Sequence, residues 1–473
     1  MAKMQMHDTF RPGAFAAVSR LLLCTLQAGF RYLSYEYDSS SVEQSFLSHQ
    51  MDSEYSLTHL NDSKTIFDKM IMSALGGLSK WDAVYFLNIA SLGYDYEQML
   101  AFFPAFPCIV SYLAKVFEII CLGFINHLSC LMLCGALINM LAFSIAAISL
   151  HKLTLKMTRN NGKADVTVIL FCCNPANIFH VAAYSESLFA CFQFTGMLWI
   201  EERNERSAFL VSALCFAGAT ATRSNGLLSV GFLLYALLIK ILFIFTRKQD
   251  SFWNICFCYA KEILINFLTC GASVLIVLVP FLVFQYFAFV NYCQDVTKLK
   301  DSKAHWCLAT FPSSYSYIQK TYWNVGPFRY FQWKQIPNFA LALPVIFLSF
   351  GASWNVLKLS SNGLWTLLQM IVDNQQTSKR RMTKQCLENV LLVPYACHLL
   401  FLVVFGIINI HVQVLTRMIF AANPLVLWYT TDILVSTKEE QNSKYSTSHI
   451  VLGYFISYSL IGILLHCNFY PWT

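Results

Sequence analysis

Residues 128–150 read LSCLMLCGALINMLAFSIAAISL, and residues 151–163 read HKLTLKMTRNNGK. The first stretch carries no charge and is long enough to cross a bilayer, which takes about 20 apolar helical residues. The second holds Lys152, Lys156, Arg159 and Lys163 and no acid, which places it on the cytosolic side. One apolar block and one basic loop therefore set both the fold class and its orientation. Further apolar blocks lie near 105–125, 164–182, 186–200, 207–222, 225–246, 262–289, 337–357, 389–408, 412–434 and 450–468. Before them, Lys3 and Arg11 precede an apolar run from Gly13 to Leu33, which reads as a retained signal-anchor.

Composition agrees. The 473 residues are 56% hydrophobic and 12% charged. A soluble domain carries roughly a quarter charged residues, so this chain lacks the polar surface for the soluble domains its length would suggest. An ordinary cytosolic enzyme and a disordered regulator are both excluded. The net charge of +7 sits in short loops, where topology explains it better than nucleic acid does. Most of the 17 cysteines lie inside apolar blocks as small hydrophobes. Cys293 and Cys307 share a polar loop and could form a disulfide if that loop faces an oxidising lumen.

Residues 34–80 set seven acids (Glu36, Asp38, Glu43, Asp52, Glu54, Asp62 and Asp68) against Lys64, Lys69 and Lys80, and they hold the sequon Asn61-Asp62-Ser63. Both features put this loop outside the cytosol. Lys379, Arg380, Arg381 and Lys384 mark another cytosolic loop. An odd number of crossings must separate the first loop from residue 151, yet two apolar blocks intervene. Lys115 and Glu118 share one face of the block at 105–125, so that block is expected to lie along or dip into the luminal face. About 11 spans result, with a cytosolic N-terminus and a luminal C-terminus. Residues 34–104 and 290–336 form two long luminal loops of a single membrane domain.

The polar residues gather on the luminal side. Trp81, Val84 and Tyr85 recur at helical spacing, which suggests a short interfacial helix with Asp82 in its first turn. Asp82 suits a capping box on Ser79, and it suits a general base. Pro104 and Pro107 in Phe102-Phe103-Pro104-Ala105-Phe106-Pro107 are expected to bar an α-helix there. Asn174-Pro175 breaks a span ahead of Tyr184-Ser185-Glu186. Glu186 is a functional candidate as an intramembrane carboxylate, or the partner of an arginine. Arg223, in Thr222-Arg223-Ser224-Asn225-Gly226, could clamp a phosphate or pair with Glu186. His411 and Arg417 open a later span. No P-loop, HExxH or GxSxG motif occurs in a supporting context.

Seven motifs occur in order. They are Trp81-Asp82-Ala83-Val84-Tyr85-Phe86, Ala101-Phe102-Phe103-Pro104, Asn174-Pro175-Ala176-Asn177 with Tyr184-Ser185-Glu186, Arg223-Ser224-Asn225-Gly226, Tyr315-Ser316-Tyr317-Ile318-Gln319 with Tyr322-Trp323-Asn324-Val325-Gly326, His411-Val412-Gln413-Val414-Leu415-Thr416-Arg417, and Leu465-His466-Cys467-Asn468-Phe469. This set resembles the phosphatidylinositol-glycan class V family, the GPI mannosyltransferase 2 enzymes, from about Phe10 to Thr473. Residues 34–75 match no part of the pattern.

The resemblance implies an all-α polytopic membrane protein of the GT-C glycosyltransferase type in the endoplasmic reticulum membrane, with a luminal active site. It implies inverting transfer of the second, α1,6-linked mannose from dolichyl-phosphate mannose to a GPI precursor, with no cofactor or metal. Asp82 takes the place of the catalytic acidic residue. The residues themselves suggest that Arg223 or Arg417 holds the phosphate and that Glu186 and His411 position the acceptor sugar or the arginines, with Trp81 and Asn225 as further expected substrate contacts and Asn61, by its sequon, as the expected glycosylation site. A small membrane partner subunit is compatible with this reading. The alternatives are another GT-C mannosyltransferase and a non-enzymatic lipid scramblase or transporter.

Overall fold

The computed structural model describes residues 10–37, 65–202, 207–247, 258–294, 305–310, 312–372, 389–435 and 441–472. Asn61 and the basic run at 379–384 lie outside these residues. All described regular structure is helical. In chain order the helices are α1 (Pro12–Leu33), α2 (Ile66–Leu75), α3 (Asp82–Leu92), α4 (Ala105–Cys121), α5 (His127–Thr158), α6 (Asn161–Cys172), α7 (Glu186–Ile200) and α8 (Ser207–Thr222). They continue as α9 (Val230–Arg247), α10 (Ala260–Phe289), α11 (Ser314–Thr321), α12 (Ile336–Val372), α13 (Val393–Asn409), α14 (Leu415–Ala422), α15 (Leu425–Val435) and α16 (Gln441–Cys467).

Among the described residues, seven helical segments are long and apolar enough to cross a membrane. They are Pro12–Leu33, His127–Thr158, Ser224–Ile244, Ala260–Gln294, Trp333–Ser361, Asn389–Asn409 and Thr447–Cys467. The block at 412–434 forms a bent pair, α14 and α15, with an angle of 82° between them. Asn423-Pro424 makes the break, and the Asn423 side chain accepts from the Leu425 N–H and donates to the Tyr395 carbonyl. Counting the pair as one span gives eight. The remaining blocks expected to cross are shorter helices.

The difference is largest at 164–182 and 186–200. At about 1.5 Å per residue, α6 is roughly 18 Å long and α7 roughly 22 Å, against about 30 Å of hydrocarbon. They meet at residues 174–185, a turn buried along its whole length. Asn139 of α5 fixes its depth by donating to the Ala182 and Tyr184 carbonyls. Asn139 lies about 18 Å from one end of α5 and about 28 Å from the other. The turn thus sits well below the α5 N-terminus, inside the bundle. Around it, α7 packs on α5, α8 and α14, and α1 packs on α5 and α16.

The polar turn is held by groups that replace the missing helix hydrogen bonds. Asn174 donates to the Phe171 carbonyl and accepts from the Ala176 N–H. Arg20 of α1, fully buried, donates to the Cys172 carbonyl at 2.6 Å and lies 3.9 Å over the Phe143 ring. The last carbonyls of α6 lack intrahelical partners, and Arg20 supplies a donor from another helix.

The Pro104–Pro107 stretch is helical, contrary to the sequence expectation. Pro104 is the N-cap of α4 and Pro107 lies in its first turn, where no N–H is required. The helix turns back along α5, and His127 at the start of α5 pairs with Glu118.

A second small core joins the two long loops. Cys293 and Cys307 form the disulfide that their shared loop suggested. Glu97 accepts from Trp306 Nε1 and from the Tyr322 hydroxyl at 2.9 Å. Burial and the Glu97 carboxylate push the Tyr322 phenol up to about 12, so it remains a donor near neutral pH. Gly326 and Phe328 donate backbone N–H groups to Asn409 and Ile408, tying the loop to the end of α13.

Candidate active site

Asp82 is the first residue of α3 and Glu186 the first of α7. Both carboxylates therefore sit at the positive end of a helix dipole. Arg417, on α14, joins them. Its Nη2 lies 2.8 Å from Asp82 Oδ2 and its Nη1 lies 3.7 Å from Glu186 Oε1. Arg223 completes the row, with Nη1 2.5 Å from the same Glu186 oxygen and 3.3 Å from Ser185 Oγ. The row runs Asp82–Arg417–Glu186–Arg223, two negative charges alternating with two positive ones.

Burial divides the labour. The Glu186 side chain is 0% exposed, and that of Asp82 is 30% exposed. Asp82 can meet an incoming hydroxyl, whereas Glu186 can only organise its neighbours. Glu186 Oε2 is buried with no hydrogen-bond partner among the described residues, as is Arg417 Nε. Arg417 also lies over the rings of Phe179 and Tyr184, at 5.2 and 5.5 Å from their centroids. Fixed on both sides, its guanidinium is a rigid fork rather than a mobile cation.

The local geometry at Asp82 differs from the capping box. Ser79 Oγ donates to the Gly76 carbonyl, and Trp81 is the N-cap without a side-chain cap. Trp81 has φ 59°, a left-handed value rare for a bulky residue, and it stacks on Phe469 at 4.7 Å. It stands outside the helix, so it does not share a helical face with Val84 and Tyr85. The Asp82 N–H donates to the Tyr184 hydroxyl at 3.0 Å, which binds the first turn of α3 to the buried turn.

Four of the expected site residues meet in this row: Asp82, Glu186, Arg223 and Arg417. Trp81 borders it. Asn225 lies in the 3-10 turn after Arg223. His411 goes elsewhere. Its ring stacks on Tyr330 at 4.6 Å and bonds the Trp323 backbone, and burial lowers its pKa, which favours the neutral ring. It ties the second long loop to the start of α14 and does not orient the arginines.

Sequence reasoning missed Arg20, Asn139 and the role of Tyr184. The first two had a signal, because a cation and an amide inside apolar runs each need a partner in the membrane. No cluster of three or more His, Cys, Asp or Glu suited to a metal occurs among the described residues.

A family model described as Mannosyltransferase (PIG-V) matches residues 13–473. The chain belongs to this family. The GPI alpha-1,6-mannosyltransferase 2 of Cricetulus griseus is 33% identical, over 97% of each chain. Its namesake from Homo sapiens is 32% identical, over 86% of this chain and 90% of the relative. The GPI mannosyltransferase 2 of Drosophila melanogaster is 28% identical, over 86% and 89%. Among solved structures, the archaeal oligosaccharyltransferase AglB of Archaeoglobus fulgidus aligns with 98% of this chain and 57% of its own at a TM-score of 0.45 and 8% identity. Within the PIG-V family frame, the charged row is the candidate active site of a multi-pass membrane mannosyltransferase.

Proposed function

We propose that the chain adds the second, α1,6-linked mannose to a GPI precursor in the endoplasmic reticulum membrane, with dolichyl-phosphate mannose as donor and the site open to the lumen. The observation that carries this reading is the bridging of Asp82 and Glu186 by Arg417, beside Arg223. The names of the relatives support the substrate and linkage.

The chemistry follows from the charges. The acceptor hydroxyl oxygen attacks mannose C1, and the bond from C1 to the phosphate oxygen breaks. Attack opposite a β-linked phosphate leaves an α linkage. Asp82 takes the hydroxyl proton as general base. Dolichyl phosphate leaves with the electron pair, and Arg223 and Arg417 face its charge. A phosphate entering the row competes with Asp82 for Arg417. Donor binding therefore loosens the ion pair that holds the base. Glu186 keeps both guanidiniums in place.

The test uses purified protein, a mannosyl phosphodolichol donor and a one-mannose glucosaminyl-inositol phospholipid acceptor. Product mass and susceptibility to a linkage-specific mannosidase are read. A two-mannose product with an α1,6 bond supports the reading. Transfer to a different acceptor alone moves the assignment to another mannosyltransferase, and lipid movement without transfer points to a transporter.

A further inference from the structure

A cavity of about 270 Å³ opens where the end of α1 meets α2 and the residues after α16. Arg31, Tyr32, Glu36, Met72, Ser73 and Asn468 line it. Arg31 stands in the last turn of α1, a helix long and apolar enough to cross a membrane. The cavity therefore lies at the polar border of that span.

Its charge is unbalanced. Glu36 pairs with Lys80, and it faces Arg31 Nη2 at 4.0 Å. Two cations share one carboxylate, which leaves one positive charge in this group. Arg31 is fixed, since its Nη1 donates to the Met72 carbonyl at 2.8 Å. A Cβ on Gly76 would stand 2.5 Å from that Nη1, so the glycine makes room for the guanidinium. The Tyr32 and Ser73 hydroxyls bond each other at 2.5 Å in the same wall.

Side-chain contacts join the cavity to Asp82. Lys80 lies over the Phe469 ring at 5.4 Å, and Phe469 stacks on Trp81 at 4.7 Å. A second route runs through Gly77 and His466. A Cβ on Gly77 would stand 2.9 Å from Arg31 Cδ, and the backbone of the same glycine meets the His466 ring. That ring packs against Tyr184 with centroids 5.7 Å apart, and the Tyr184 hydroxyl accepts from the Asp82 N–H. The charges of Asp82, Arg417 and Lys80 all act on His466. Arg31 and Lys80 are thus a second pair of cations near the base, separate from Arg223 and Arg417.

We propose that this cavity binds the phosphodiester of the glycolipid acceptor, with Arg31 and Lys80 on its phosphate oxygens and Tyr32 and Ser73 facing the inositol hydroxyls. This rests on the mannosyl-transfer reading above. The order of groups selects the ligand. The acceptor presents a reacting hydroxyl, then sugar rings, then a phosphate at the membrane surface. The protein presents Asp82, then the Trp81–Phe469 aromatic pair, then a cationic cavity at the membrane border. The donor's phosphate belongs with Arg223 and Arg417, because it lies at the bond that breaks. A bulk anionic phospholipid carries the same phosphate but no sugar chain to reach Asp82.

The experiment measures transfer in phosphatidylcholine nanodiscs to two acceptors. One is the one-mannose glucosaminyl-inositol phospholipid, and the other carries the same glycan on an uncharged alkyl chain without phosphate. Wild type is expected to lose about tenfold in acceptor KM when the phosphate is removed, as loss of a charge-assisted contact gives. Arg31→Gln and Lys80→Gln are each expected to raise KM for the phosphate acceptor by about as much, with KM for the uncharged acceptor, donor KM and kcat unchanged. Glu36→Gln frees both cations and is expected to lower KM for the phosphate acceptor by about twofold, whereas a purely structural ion pair would give a loss on both acceptors. Equal KM for the two acceptors in wild type, or a parallel loss on both in Arg31→Gln and Lys80→Gln, overturns the site and leaves the transfer reading intact. Equal KM with a stimulation by added phosphatidylglycerol that the same variants abolish assigns the cavity to bulk anionic lipid and also overturns it. Absence of transfer by wild type to either acceptor overturns the transfer reading and the site with it.

Discussion

Arg417 is the residue on which the site depends, because it separates two carboxylates that would otherwise repel each other. Removing one partner of a buried ion pair leaves an uncompensated charge and costs about 3–5 kcal/mol. Arg417→Met is therefore expected to lower the melting temperature in detergent and abolish transfer, and Arg417→Lys to recover part of the stability but not the forked geometry. Asp82→Asn should behave differently. It retains the volume and a contact to Arg417, so folding should hold while kcat falls by about 10²–10⁴-fold, as loss of a general base does. A variant that folds and transfers normally would return Asp82 to a structural role. The sequence reached this far because motif order selected the charged residues. It did not reach the pairing, since Arg223 could equally hold a phosphate or Glu186, and only the buried geometry pairs it with Glu186. His411 shows the converse: it packs on Tyr330 and the Trp323 backbone of the second long loop, and nothing in the residue type distinguished that from a place in the charged row.

At the scale of elements, two Asn-Pro breaks set Glu186 and Arg417 in place. Asn174-Pro175 ends α6 and lets α7 begin at Glu186, and Asn423-Pro424 ends α14 just past Arg417. Hydropathy counted two spans where α6 and α7 are each shorter than the hydrocarbon, because the turn between them mixes Ile, Phe, Val and Ala with its Asn, His and Ser. The break becomes visible only through what satisfies it: Arg20 and Asn139, drawn from two other helices. Arg20→Met should therefore strip the donor from the Cys172 carbonyl and destabilise by about 1–3 kcal/mol, the cost of an unsatisfied buried acceptor. Restriction of the loss to kcat with an unchanged melting temperature would show that Arg20 does not hold the turn. The turn after Arg223 has its own requirement. A Cβ on Gly226 would collide with the backbone of Ala219 and Thr220 at the end of α8, and backbone cannot rotate away. Gly226→Ala is expected to displace Arg223 and reduce both expression and transfer, whereas Gly231→Ala, in open space, should leave them unchanged.

At the scale of the whole molecule, one end of the bundle collects the reactive groups, the disulfide and the first long loop. α3, the Cys293–Cys307 loop and the start of α14 meet through Glu97, Tyr85 and the strap of Gly326 on Asn409. On the proposed topology this end faces the lumen, with the four cations at 152–163 near the opposite end of α5. The assignment makes two linked expectations that share one cause. A luminal first loop would carry a glycan on Asn61, so Asn61→Gln should remove an endoglycosidase-sensitive mobility shift. An oxidising lumen would keep Cys293 and Cys307 paired, so a maleimide should label them only after denaturation and reduction. Both outcomes together fix Asp82 on the luminal side, since it shares the first loop with Asn61. A glycan on Asn61 with free thiols at 293 and 307 would break the link between the two loops and overturn the shared face. An unglycosylated Asn61 with cytosolic protease access to the first loop would invert the map and leave the charged row facing the wrong compartment for a luminal transferase.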